Sequence, residues 1–106
     1  MVLNISFKQI DPSDALKIYV TEKSERLKKY FQGKIHVTWS FSREKQSRIA
    51  HCHLLGNGMD YFGEESTEDF HASVDQVLDH IEKQVRKHKE IVTDHLHHRS
   101  HNQDNG

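Results

Sequence analysis

The sequence predicts an α+β domain in the order β-α-β-β-β-α, a four-stranded mixed sheet with two helices packed on one face. Three observations carry this prediction. Ile35, Val37, Trp39 and Phe41 alternate with His36, Thr38 and Ser40, the period of a half-buried strand. Phe70, Val74, Val77, Leu78, Ile81 and Val85 recur at i, i+4, i+7, i+8, i+11 and i+15, one apolar stripe at helical period. Between these segments Gly56-Asn57-Gly58 marks a tight turn, because such residues tolerate positive φ.

The first strand is Val2 to Lys8, with Leu3, Ile5 and Phe7 opposing Asn4, Ser6 and Lys8. Asp11-Pro12-Ser13-Asp14 breaks that pattern and opens a helix, with either Asp11 capping ahead of Pro12 or Ser13 capping. The first helix runs from Ala15 to Phe31 on a stripe of Leu16, Val20, Leu27 and Phe31, and Gly33 stops it. Ser24 falls within the stripe, where a larger apolar residue would be expected to fit better. The second strand is Ile35 to Phe41, followed by a polar turn over Ser42 to Ser47. Arg48 to Leu55 forms the third strand, and Tyr61 to Ser66 a weaker fourth one. Ser66 or Thr67 would cap the second helix, which reads from Glu68 to Glu90.

A helix joins the first two strands, so these should lie parallel with a right-handed crossover, and the last three form a meander. Both helices bury their stripes on the sheet face that bears Trp39. The 106 residues suit one domain, expected over residues 1–94, followed by a flexible His-rich tail over 95–106.

Net charge is −1, which by itself does not announce a partner. The distribution does more. All 15 Lys and Arg lie within residues 8–48 or 83–99, whereas Asp60, Glu64, Glu65, Glu68, Asp69, Asp75, Asp79 and Glu82 fill the gap between. On the second helix, Lys83, Arg86 and Lys87 project away from the apolar stripe at about 100° per residue. On the first, Tyr19, Lys23, Arg26 and Tyr30 line one flank, and Lys28 and Lys29 close the last turn. Cations late in a helix suit the macrodipole, and a solvated face would account for them. Lys and Arg interleaved with Tyr equally suit a phosphate-and-ribose surface.

Little points to an enzyme. There is no Walker loop, dinucleotide fingerprint or nucleophile elbow. Cys52 alone excludes a disulfide framework and sits where a strand interior is expected. His95, His97, His98 and His101 are closely spaced, but no carboxylate or Cys pattern completes a closed site, so neither metal nor cofactor is expected. No basic leader, apolar core or membrane-length run is visible, and a cytoplasmic domain is the expectation.

Several stretches together resemble the ribosome hibernation-promoting factor and ribosome-associated inhibitor family. They are Leu55-Gly56-Asn57-Gly58, Glu68-Asp69-Phe70 with Ala72 and Val74-Asp75, and Lys83-Gln84-Val85-Arg86-Lys87-His88-Lys89-Glu90. The first helix is similar too, through Asp14-Ala15-Leu16, Tyr19-Val20, Lys23, Glu25-Arg26-Leu27 and Lys29-Tyr30-Phe31. The resemblance covers about residues 2–92. It implies a fold similar to double-stranded-RNA-binding domains and a protein that is monomeric off the ribosome. It also implies binding to the 30S subunit of the 70S ribosome, on 16S rRNA in the mRNA channel, blocking the tRNA A and P sites under stress or in stationary phase. Carried over residue by residue, it implies rRNA contacts from Lys23, Arg26, Lys29, Lys83, Arg86, Lys87 and Lys89, with Lys28 and Arg43 in addition.

Two departures stand out: His80 where Lys is common, expected to weaken phosphate binding, and Ser24 where Leu is common. The second domain of long members is not seen, so the chain resembles a short form. The alternative from the residues alone is a protein-interaction module that uses an acidic patch at Asp60–Asp79.

Overall fold

The computed structural model describes residues 1–105, with side chains for residues 1–88. The strands are β1 (Val2–Phe7), β2 (His36–Glu44), β3 (Ser47–Gly56) and β4 (Met59–Thr67), and the helices are α1 (Asp14–Ser24) and α2 (Phe70–Asn105). They build one mixed sheet in the order β1-β2-β3-β4. β1 runs parallel to β2, and the other two pairings are antiparallel, as the alternating strands and the helical crossover predict.

Register follows side-chain parity. Leu3, Ile5 and Phe7 lie opposite Val37, Trp39 and Phe41, which lie opposite Leu54, Cys52 and Ala50. These residues share the face that the helices cover, and β2 and β3 bury theirs completely. Rings are layered there. Trp39 and Phe41 stack at 5.9 Å, Phe7 stacks on Phe41 at 5.5 Å, and Phe70 meets Phe41 edge-on at 5.6 Å. Leu16, Val20 and Leu27 join the same core, with Ser24 reaching Trp39 on β2; Val74, Val77, Leu78, Ile81 and Val85 close it over β3 and β4. The other face carries His36, Thr38, His51, His53 and an exposed Phe62.

The turns differ from expectation in length. Asn57 (φ 52°) and Gly58 (φ 73°) form a two-residue connection with both φ positive, which matches the twist of the flanking strands. The expected polar turn over Ser42 to Ser47 shrinks to Lys45 and Gln46, because β2 and β3 pair as far as Glu44 and Ser47. Arg43 therefore sits on a strand, opposite Arg48.

Helix ends are corrected too. Ser13 caps α1, its Oγ accepting from the Leu16 N–H at 3.2 Å. The expected single helix over Ala15 to Phe31 is α1 followed by a 3-10 segment, Glu25–Tyr30. With three residues per turn, Ser24, Leu27 and Tyr30 come onto one edge, which keeps Ser24 and Leu27 buried as the chain turns toward β2. α2 is capped by Asp69 rather than by Ser66 or Thr67. Asp69 Oδ1 accepts from the His71 N–H at 3.2 Å, and Thr67 Oγ1 braces the cap by accepting from the Asp69 N–H at 3.0 Å. α2 also starts later and runs further than Glu68 to Glu90, into the span expected as a tail. The side chains of that span, the four closely spaced histidines and Lys89 included, lie outside the described residues.

Ser24 is the clearest correction. It is fully buried, and its Oγ accepts from Trp39 Nε1–H at 3.0 Å. A buried indole N–H needs an acceptor, and a leucine would supply none. Both Ser24→Ala and Ser24→Leu should therefore lose about 1–3 kcal/mol in urea unfolding. A leucine variant as stable as the parent would show that the hydroxyl is dispensable.

Candidate nucleic-acid interface

α1 and α2 lie side by side and run the same way, since Tyr19 meets Asp75, Arg26 meets Asp79, and Tyr30 meets Glu82. The seam between them is polar. Tyr19 donates to Asp75 Oδ1 at 2.6 Å and Tyr30 to Glu82 Oε2 at 2.7 Å. Arg26 Nη2 donates to Asp79 Oδ1 at 2.9 Å, and its Nε lies 2.6 Å from Glu82 Oε1. That Nε–H is buried and poorly aligned on the oxygen, so the second contact is an ion pair more than a directed hydrogen bond. Glu82 is only 7% exposed, and both of its oxygens have partners.

Most of the predicted cations lie toward the Tyr30–Glu82 end of this seam, and Lys23 lies nearer its start. Lys83, Arg86 and Lys87 are exposed on α2, and no carboxylate lies within 4 Å of them among the described residues. Lys83 directly follows Glu82, the residue that Tyr30 meets across the seam, and Lys28 and Lys29 directly precede Tyr30, so cations of both helices flank that contact. Lys23 lies over the Tyr19 ring at 5.3 Å and Lys29 over the Tyr30 ring at 5.2 Å, arrangements that hold an ammonium group near an aromatic face. Lys28 pairs with Glu25 at 2.8 Å; both side chains are about half exposed, and such a pair contributes about 0–1 kcal/mol, which a phosphate can displace.

Two predicted residues stand differently. Arg26 is engaged across the seam. Arg43 lies at the far end of the sheet, its Nε donating to the Lys45 carbonyl at 3.1 Å. Its cross-strand neighbour Arg48 accepts, through its carbonyl, from Ser73 Oγ at 2.7 Å. Lys83 and Arg86 lie ten and thirteen residues beyond Ser73 on α2, roughly 15–20 Å away along the axis. Lys28, Lys29, Lys83, Arg86 and Lys87 therefore lie toward the Tyr30–Glu82 end of the seam, Lys23 stands beside Tyr19 nearer its start, and Arg43 lies near the first turns of α2.

The expected acidic patch does not form a single surface. Asp60 lies on the open sheet face, 2.6 Å from His53 Nε2. Glu65 lies 3.9 Å from His80 on the helix side, and Asp75 and Asp79 face the first helix. Cys52 is fully buried, and burial pushes its thiol well above the ordinary range, which suits a packing role.

The seam residues Tyr19, Asp75 and Glu82 were not among the expected site residues. A signal for them exists. Asp75, Asp79 and Glu82 are spaced four and three, one flank of a helix, and Tyr19, Arg26 and Tyr30 are spaced seven and four, a flank of the other.

Both seam tyrosines titrate high. The hydrogen bond to Asp75, then burial, raises Tyr19 from 10.0 to about 12; burial, then the bond to Glu82, raises Tyr30. A phenol whose folded value is raised favours the folded state at every pH below its unfolded value, and that contribution disappears as pH rises through the folded value. For Tyr19 the window runs from pH 10.0 to about 12. Between pH 9 and pH 11.5 the parent should lose more unfolding free energy in urea than Tyr19→Phe does. Parallel losses would mean that the Asp75 bond does not hold the phenol protonated.

Comparison with known proteins agrees with this architecture. Residues 3–93 match the family described as sigma 54 modulation protein / S30EA ribosomal protein. A ribosome hibernation promoting factor of Azotobacter vinelandii is 35% identical over 90 residues, covering 85% of this chain and 84% of that protein. One from Escherichia coli is 28% identical over 95 residues, covering 90% of this chain and all of that protein. The Protein Y N-terminal domain of Thermus thermophilus superposes with a TM-score of 0.77 at 25% identity, over 82% of this chain and 98% of that one. A ribosomal subunit interface protein from Coxiella burnetii, 21% identical, shares the fold at a TM-score of 0.75, over 85% and 99%.

Proposed function

The chain belongs to the sigma 54 modulation protein / S30EA ribosomal protein family, and on that premise we propose that it is a ribosome hibernation factor. It binds the 30S subunit on 16S rRNA, lies in the mRNA channel, and blocks the tRNA A and P sites under stress or in stationary phase. The relatives named ribosome hibernation promoting factor support the role. Work on ribosomes is cytoplasmic, and the protein acts as a monomer before it binds.

One observation carries the reading: Lys83, Arg86 and Lys87 stand exposed and without carboxylate partners among the described residues, at the end of the seam that Lys23, Lys28 and Lys29 flank. Phosphates attract such a cluster through charge and counterion release, without a pocket or a bound cofactor. Tyr19 and Tyr30 hold two of the lysines over their rings and can also present a ring edge to ribose. The role is occlusion, and it asks no chemical step of the protein.

Cosedimentation with purified 30S subunits at rising salt tests this. With five or six phosphate contacts, the logarithm of the binding constant should fall with the logarithm of salt at a slope of about −4 to −5. Lys83→Glu/Arg86→Glu should bind at least tenfold more weakly and unfold at nearly the parental temperature, since both side chains are exposed. Salt-insensitive binding, or none at low salt by a folded protein, would overturn the proposal. Bound protein should also exclude mRNA and A- and P-site tRNA from the same subunits; free coexistence would remove the channel location.

A further inference from the structure

The cationic surface contains an arrangement that the family's binding role does not explain. On α2, Asp79 stands one turn before Lys83, and Glu82 one turn before Arg86. An acid four residues ahead of a base is the favourable order for an ion pair within a helix. Neither pair forms. Asp79 Oδ1 is held by Arg26 Nη2 at 2.9 Å. Glu82 Oε1 lies 2.6 Å from Arg26 Nε, and Glu82 Oε2 accepts from Tyr30 at 2.7 Å. Lys83 and Arg86 are left exposed with no carboxylate within 4 Å among the described residues.

We propose that Arg26 is a positioning residue of this surface and not one of its phosphate ligands: by drawing Asp79 and Glu82 across the seam, it keeps them from neutralising Lys83 and Arg86. One guanidinium on α1's continuation thereby leaves two cations on α2 available to a polyanion. Its planar fork can meet two carboxylates at once, which a single ammonium group does less well. The exposure of the partners fits this role. The Glu82 side chain is 9% exposed and that of Arg26 33%, whereas Lys83 and Arg86 are exposed and open to a ligand.

The inference rests on the rRNA-binding reading for its ligand but can be tested apart from it. Four proteins suffice: the parent, Arg26→Met, Asp79→Asn/Glu82→Gln, and the triple variant. Each is titrated with 30S subunits across a salt series, and each is eluted from heparin as a generic polyanion. Arg26→Met should bind at least tenfold more weakly. Its salt slope should shrink by about two contacts' worth, roughly 1.5, because Lys83 and Arg86 become paired. The two amides should change parental binding by less than threefold, yet restore both affinity and slope in the Arg26→Met background.

A phosphate-binding Arg26 predicts the reverse coupling. The amides would then raise parental affinity strongly by releasing Arg26 and would not rescue Arg26→Met. That result, or unchanged binding by Arg26→Met, overturns the proposal. Melting curves establish that each variant is folded. Should Arg26→Met not fold, Arg26→Lys takes its place: weaker binding restored by the amides supports the role, and no loss or no rescue ends it. If the parent ignores 30S subunits, the hibernation reading fails, and heparin elution of the same four proteins still decides the part played by Arg26.

Discussion

A carboxylate enclosed between two helices governs much of this molecule. Glu82 lies on the flank of α2 that continues its apolar stripe, with Ile81 and Val85 buried beside it. An ionised group there must be paired and hydrogen-bonded, because leaving it bare costs about 3–5 kcal/mol. Arg26 and Tyr30 meet the need from the first helix. Asp79, with a 68% exposed side chain, adds about 0–1 kcal/mol at most, so the buried partner is the one that matters. The helices are thus held in one relative position by a contact that tolerates little displacement. The cations at the end of the seam inherit that position.

Beneath the helices, parity in the strands does the complementary work. Trp39 is central: its ring stacks on Phe41, and its N–H finds Ser24. A serine in an apolar stripe is unfavourable when the helix is considered alone. Against an indole it satisfies a donor that would otherwise be buried without a partner. The same hydrogen bond ties the end of α1 to the sheet where the helix tightens into its 3-10 turn. Ser24, Leu27 and Tyr30 then carry one edge of that turn from the core out to the seam, connecting the aromatic layer to Glu82.

Much of the fold was legible before any coordinates. Strand parity in Ile35 to Phe41 and Arg48 to Leu55 identified the covered face, and helical period in Phe70 to Val85 identified what covers it. The Asn57-Gly58 turn followed from backbone preference. Element ends were less legible. Ser13 and Asp11 are equally good caps on paper, and Asp69 replaces Thr67 at α2 because Thr67 points its hydroxyl at the Asp69 backbone instead. For the interface, the sequence marked the cations correctly as outward-facing on α2 but could not separate Arg26 from Lys23, since both lie on one flank of the first helix.

What the chain determined by itself was local: which side chains alternate, which recur at helical period, and where the charges of each sign collect. These depend on dihedral preference and spacing, which every segment carries with it. Which charges cancel was settled only when the two helices were laid side by side. Asp75, Asp79 and Glu82 look like a solvated acidic flank until Tyr19, Arg26 and Tyr30 are brought against them across more than fifty residues of chain. Charge pairing depends on distance in space and on burial, and neither is written in the order of residues.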